Sequence, residues 1–153
     1  MVTPKSLWLP AHQLALIAAI FASGYGFGQA REPLIAVQAL FATSKTVMDE
    51  PIVYPANAAA KLTAAILTIQ PGGETGWHTH GVPLVGMVLD GDLTVDYRDQ
   101  GPRTYHAGEA FAEAMSVPHN GHNDGNVPVR LIALYIGAEG VAPTVAEPIS
   151  DPH

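Results

Sequence analysis

The chain has 153 residues, a formal net charge of −7, 48% hydrophobic and 14% charged residues, 15 Gly and 13 Pro. That suffices for one domain with a proper core and not for two, and so turn-rich a composition favours an all-β protein over a helical one. The basic residues are scattered and there is no cysteine, so a nucleic-acid partner is excluded and any metal must rely on imidazole and carboxylate.

Residues 1–30 read as a segment outside the fold. Lys5 is the only charge before Arg31, the run from Leu14 to Ala22 is continuously apolar, and Gly28 and Ala30 are small residues at −3 and −1 of a cut after Ala30. This is the pattern of a secretory signal peptide. The alternative is an uncleaved N-terminal anchor, with the run lengthened through Phe27. The nine residues from Leu14 to Ala22 fall well short of the roughly 20 that a spanning helix needs. The expected location is therefore periplasmic or secreted, with no stable membrane span once the segment is removed. The mature chain, residues 31–153, keeps 6 basic and 14 acidic residues, a charge of −8.

Leu34 to Phe41 is apolar and suits a first strand or a short helix. Thr46–Met48 and Pro51–Tyr54 have the look of short edge strands, where proline is tolerated. Lys61 to Gln70 is long, mostly apolar and rich in β-branched residues, and predicts a strand buried on both sides. Pro71-Gly72-Gly73 ends it. Val85–Leu89 and Leu93–Tyr97 flank Asp90-Gly91, a strong hairpin signal. Short strands follow over Arg103–His106 and Glu109–Glu113, and Val127–Ile136 is the last long one. The tail from Gly137 is expected to pack along the surface or fray. Strands spaced this closely by turns indicate a sandwich or barrel.

His78 and His80 stand two apart, and an extended strand repeats its side chains every two residues. Both rings then project from one face and can hold a divalent metal.

At this point the chain resembles the cupin superfamily. The first motif of that family is Gly, five residues, His-x-His, three or four residues, Glu, six residues, Gly. Here Gly72, His78, His80 and Gly91 fall in register. The second motif is matched by Gly108, His119 and Asn123, while Ala114 and Ser116 stand where Pro and Gly are usual. The resemblance covers roughly residues 60–136. It implies a single small β-barrel of jelly-roll type (RmlC-like) over 31–153, often paired as a homodimer. It also implies a mononuclear metal site.

One departure matters most. Leu84 occupies the position of the family's glutamate ligand, so the implied first shell reduces to His78, His80 and His119. The loss either leaves a three-histidine site or abolishes metal binding and leaves an apolar cup. Three histidines suffice for a catalytic zinc, and the family includes three-histidine iron dioxygenases. Two carboxylates are near in sequence. Glu74, four before His78, is expected to face solvent. Glu113, in the apolar stretch Phe111-Ala-Glu-Ala114, would be costly to bury unpaired, so it either faces solvent or approaches a cation, where it is the candidate catalytic acid/base.

The other histidines are weaker candidates. His122 points away from His119 if extended, His106 sits near a hairpin end, His12 lies in the leader and His153 is terminal. Trp77 and Phe111 read as core aromatics. Pro83, Leu84, Met87 and Met115 would make an apolar rim if they line the cup mouth, while Gly91, Gly108 and Asn123 serve turns.

Three neutral imidazoles leave a bound dication's charge uncompensated, which favours an anionic or chelating small molecule. The implied cofactor is zinc, iron, copper, nickel or manganese, with metal uptake after export tilting toward zinc or copper. Two functions follow: an exported metalloenzyme acting on a small carbonyl, carboxylate or sugar-derived substrate, or a cupin that binds a small molecule or metal without turning it over.

Overall fold

The computed structural model describes residues 34–148. The chain divides into two compact units, Met1–Ala39 and Leu40–His153. Of the first, residues 34–39 are described and form neither strand nor helix, so the strand or short helix expected from Leu34 is not there. The proposed leader, with His12, lies outside the described residues, as does His153. Among the described residues no helix is long and apolar enough to cross a membrane.

The second unit is all-β. Its strands are β1 (Ala60–Ile69), β2 (His78–Thr79), β3 (Leu84–Asp90), β4 (Asp92–Asp96), β5 (Pro102–His106), β6 (Ala110–Ala112), β7 (Asn120–His122), β8 (Val129–Ala138) and β9 (Val145–Ala146), with one 3-10 turn at Arg98–Gln100. A four-stranded sheet runs β1-β8-β3-β6, a three-stranded sheet runs β5-β4-β7, and β2 pairs with β9. All of these ladders are antiparallel.

Period-two patterning sets which side chains meet between the sheets. Leu84, Gly86 and Val88 of β3, Leu93 and Val95 of β4, and Val129, Leu131 and Ala133 of β8 are buried, and the residues between them are half-buried or exposed. Met48, Ile69, Tyr97, Phe111 and Ala114 complete the core. Gly86 is required by close approach, because a Cβ there would lie 2.5 Å from the Phe111 ring. At the β3–β4 turn Gly91 has φ 75°, which suits glycine, and the Asp-Gly hairpin is found where the sequence places it.

Two further expectations fail. β1 forms at the expected place but is not buried on both sides: Leu62 is 68% and Ile66 59% exposed. Among the described residues it pairs with β8 alone, at the edge of its sheet, so an apolar run recorded strand propensity and not burial. The segments Thr46–Met48 and Pro51–Tyr54 are not strands; Val47 and Met48 lie in a tight turn closed by an isolated bridge, Lys45 to Pro51, from which the second segment leads away. The buried Thr46 hydroxyl takes the backbone N–H of both Met48 (3.2 Å) and Glu50 (3.2 Å), supplying locally the partners a ladder would have offered.

Candidate metal centre

β2 is short because it is held from both flanks. On one side it pairs with β9, His78 opposite Ala146. On the other, His78 and His119 exchange both backbone hydrogen bonds at 3.0 Å. Directly opposed residues of an antiparallel pair share a face, and His80 lies two further along, so all three rings converge. Their ring centroids are 4.4 to 4.9 Å apart. One ring nitrogen from each lies within 4.8 Å of the others. His78 is half-buried, whereas His80 and His119 are buried.

The outer nitrogens fix the protonation of the inner ones. Nδ1 of His78 donates to the Gly76 carbonyl (2.7 Å), Nδ1 of His80 to the Pro143 carbonyl (3.0 Å), and Nδ1 of His119 to the Val117 carbonyl (2.9 Å). A carbonyl only accepts, so each neutral ring carries its proton on Nδ1 and leaves Nε2 bare. Nε2 of His80 and of His119 face each other at 3.3 Å, lone pair toward lone pair. Burial pushes all three imidazoles below their ordinary value, His80 to about 3, so they are neutral at pH 7. A convergence of bare nitrogens with backbone acceptors behind them is a donor set that fits a divalent cation.

Glu113 follows β6, and its N–H donates to the Leu84 carbonyl (2.9 Å), which makes it the cross-strand neighbour of Leu84. It is 5% exposed. Of the two readings left open by sequence, the solvent-facing one is excluded. Oε1 accepts the Tyr97 hydroxyl (2.7 Å) and the Ala114 N–H (2.7 Å), and Oε2 has no hydrogen bond to the described residues. Its oxygens fall outside the histidine cluster, so it is not a fourth member of that group. Burial raises its carboxyl to about 7 against the opposing pull of those two hydrogen bonds.

The three histidines, Glu113 and Leu84 line one inner cavity of about 60 Å³, walled by Leu67, Ile69, Leu93, Val95, Phe111 and Tyr135 among others. Leu67, Thr75, His78 and Tyr135 also line an adjoining outer cleft of about 680 Å³. Of the four apolar rim residues expected, only Leu84 lines the inner cavity; Pro83, Met87 and Met115 do not. Phe111 is a core aromatic as expected, stacked on Tyr105 at 4.0 Å. Trp77 is not in the core. It is half-buried, lines the outer cleft and carries the Arg98 guanidinium 4.6 Å above its ring.

The remaining candidates lie elsewhere. Glu74 is exposed and accepts Asn120 Nδ2 at 2.6 Å. His122 turns to Asp124 (2.9 Å). His106 is exposed beside Asp92 (2.8 Å), whose hydrogen bond and charge raise its pKa. Asn123 is buried and ties Ile69 to Val127 through its amide, a turn role as expected.

Three contributors were not singled out from sequence. Tyr97 continues the Leu93, Val95 alternation by one more step of two, a parity that could have placed it inward beside Glu113. Glu50 accepts the N–H groups of Met115 and Ser116, each at 2.7 Å, and so holds the loop between Glu113 and His119. The described part of the tail, to residue 148, packs as β9, and with the Pro143 carbonyl and the Glu147 N–H, which donates to the Trp77 carbonyl (2.9 Å), it braces the segment that bears His78 and His80. No local signal in the sequence marks these last two.

Residues 65–135 match the family model of the cupin domain. Among solved structures, a cupin-like protein from Thermotoga maritima superposes with a TM-score of 0.51 at 17% identity, over 56% of this chain and 64% of that one. The DMSP lyase DddQ from Ruegeria pomeroyi gives 0.49 at 20%, over 56% and 42%. An oxalate oxidase gives 0.48 at 24%, over 60% and 50%. This chain thus covers less than two thirds of the length of each. No protein of curated function matches the sequence. The fold is the cupin jelly-roll β-barrel expected from the two motifs.

Proposed function

We propose that this cupin-fold chain is an exported metalloprotein in which His78, His80 and His119 hold one divalent cation, and that it acts on a small carbonyl, carboxylate or sugar-derived substrate. The observation that carries the reading is the set of three Nδ1–H groups committed to carbonyls, which leaves three bare Nε2 atoms converging in a buried cup. The opposed Nε2 atoms of His80 and His119, 3.3 Å apart, favour positive charge between them.

A cation bound there supplies a Lewis acid to an oxygen donor of the substrate. The chain does the rest. Three neutral ligands leave the dication's charge to be met by an anionic or polarised head group. The apolar walls of Leu67, Ile69, Leu93, Val95 and Leu131 exclude water around it, and the inner volume of about 60 Å³ limits what enters to a small fragment. Glu113 lines the cavity while Tyr97 and the Ala114 N–H hold Oε1. In the metal-free cup burial raises its carboxyl to about 7, and a bound dication would draw that value down, which suits the group to take a proton from the substrate. Leu84, in place of a ligand, keeps that wall apolar.

Elemental analysis of purified protein tests the reading: about one metal per chain is expected, lost in a His78→Ala, His119→Ala double variant. Metal content unchanged in the variant would end it. Small carboxylates and uronates assayed under air and under argon then separate oxygenase from lyase or isomerase chemistry.

A further inference from the structure

We propose that the outer cleft beside the histidine cup holds the body of the substrate, and that its lining selects a polyhydroxylated monocarboxylate, a sugar acid, over dicarboxylates and phosphorylated sugars. The inference rests on the metal reading above, which puts the substrate's oxygen-donor head in the cup, and adds what the rest of the molecule is.

Size comes first. The cup, at about 60 Å³, admits a carboxylate or carbonyl and little more, so a larger substrate projects out of it. Leu67, Thr75, His78 and Tyr135 wall both the cup and the cleft, and a chain leaving the histidines past them enters the cleft. At about 680 Å³ that cleft lies within the range of roughly 300–1,000 Å³ typical of pockets that take whole small molecules.

The lining then sets the chemistry. Trp77 and Tyr135 bring aromatic rings, Thr75 and Thr144 hydroxyls, and Glu74 and Glu147 carboxylates. No Lys or Arg lines the cleft among the described residues. Both carboxylates are placed by backbone: Glu74 sits in a bridge to His122, and the Glu147 N–H donates to the Trp77 carbonyl at 2.9 Å. Each also keeps an oxygen for a ligand. Glu74 Oε2 accepts Asn120 Nδ2 (2.6 Å) and Glu147 Oε1 accepts the Thr79 hydroxyl only at 3.4 Å, while the second oxygen of each has no hydrogen bond to the described residues. An ionised carboxylate accepts and cannot donate, so its complement is a donor. Hydroxyls along a carbon chain meet such acceptors while the chain itself packs on the aromatic rings. A second carboxylate or a phosphate would instead lie against two like charges. A cationic tail is the other donor-rich class, but the cation over Trp77 is already supplied by the chain, in the Arg98 guanidinium 4.6 Å from the ring.

Three six-carbon probes with the same carboxylate head separate these classes: gluconate, adipate and 6-aminohexanoate, each titrated by NMR into the full chain, zinc-loaded and zinc-free. The Trp77 indole N–H reports on the cleft and the histidine Nε2 resonances on the cup. Gluconate should move both in the zinc-loaded protein and bind about tenfold or more tightly than either other probe. Glu147→Gln should weaken gluconate about tenfold and tighten adipate, while acetate, which reaches the cup alone, binds as before. Adipate or 6-aminohexanoate equal to gluconate, a gluconate constant untouched by Glu147→Gln, or a Trp77 resonance unmoved by gluconate in both forms would overturn the inference. Should Glu147→Gln lower the melting temperature, the ranking of the three probes decides alone. The two readings fail separately: gluconate that moves Trp77 with the histidines silent would end the metal reading and keep the cleft, and zinc-dependent acetate binding with Trp77 silent to gluconate would do the opposite.

Discussion

The histidine cup and strand β1 are built from the same kind of material and end in opposite environments. Both are extended segments in apolar sequence. In the cup, two polar rings sit buried, each with its Nδ1 hydrogen-bonded to a carbonyl. On β1, a run of Leu, Ala and Ile lies open to solvent along an edge. The difference is in what packs against each. His80 and His119 are enclosed by the tail, by the loop that Glu50 holds and by the facing sheet, whereas β1 has β8 on one side only. Burial here is decided by neighbours far along the chain, and hydrophobicity alone misjudges it.

The contrast can be broken first at the ligands. His80→Ala or His119→Ala removes a bare Nε2 and should weaken metal binding by more than the roughly 10–100-fold typical of an outer-shell change, read by competition with a chelator. An unchanged affinity would mean that the rings are core histidines.

Glu113→Gln probes the buried charge. In metal-free protein the folded carboxyl titrates near 7, above an unfolded value near 4.5, so the folded state binds more protons between those values and stability falls as pH rises through that window. Gln keeps both hydrogen-bond acceptances and removes the charge. The variant should gain about 3 kcal/mol relative to wild type between pH 4 and pH 8, an upper value. Denaturant melts at the two pH values check it, and a pH-independent difference would show that the carboxyl is not held above its usual range.

Both changes bear on how much was legible. The spacing of His78 and His80 needed only strand periodicity, and the two-motif pattern placed His119 beside them. Leu84, at the position of the family's glutamate, lines the inner cavity with an apolar side chain. That Glu113 would turn inward could not be chosen from sequence, because the choice depends on Tyr97 and Ala114 offering Oε1 two donors. The roles of Glu50 and of the tail are long-range, 65 residues from Glu50 to Met115 and 63 from His80 to Pro143, and carry no periodic signal. The turn around Thr46 misled because its apolar and β-branched residues mimic a strand while a side-chain hydroxyl satisfies the backbone.

Glu50→Gln sharpens the comparison at its hinge. An amide N–H set against the Met115 or Ser116 N–H leaves one of them unpaired, at a cost of about 1–3 kcal/mol. Metal affinity should fall about tenfold as the His119 loop loosens, with the His119 and His80 resonances moving more than those of His78 in metal-free protein, because the His80 N–H donates to the Met115 carbonyl of that loop. Equal loss of order at all three rings would show a general fold defect instead.

The smallest effects belong to β1. Leu62→Thr or Ile66→Thr, both on the open strand, should change stability by no more than about 0.5 kcal/mol. Val88→Ala, fully buried on β3, should cost about 2 kcal/mol. Costs of similar size at the two places would mean that the edge of β1 is covered in solution.

The account stands on where the imidazole protons are. Long-range nitrogen–proton NMR of labelled metal-free protein at pH 7, followed by zinc titration, addresses it directly. The prediction is that His78, His80 and His119 all carry the proton on Nδ1, and that all three Nε2 resonances shift together and saturate at one equivalent. An Nε2–H tautomer at any of the three, or resonances that zinc leaves in place, would contradict it.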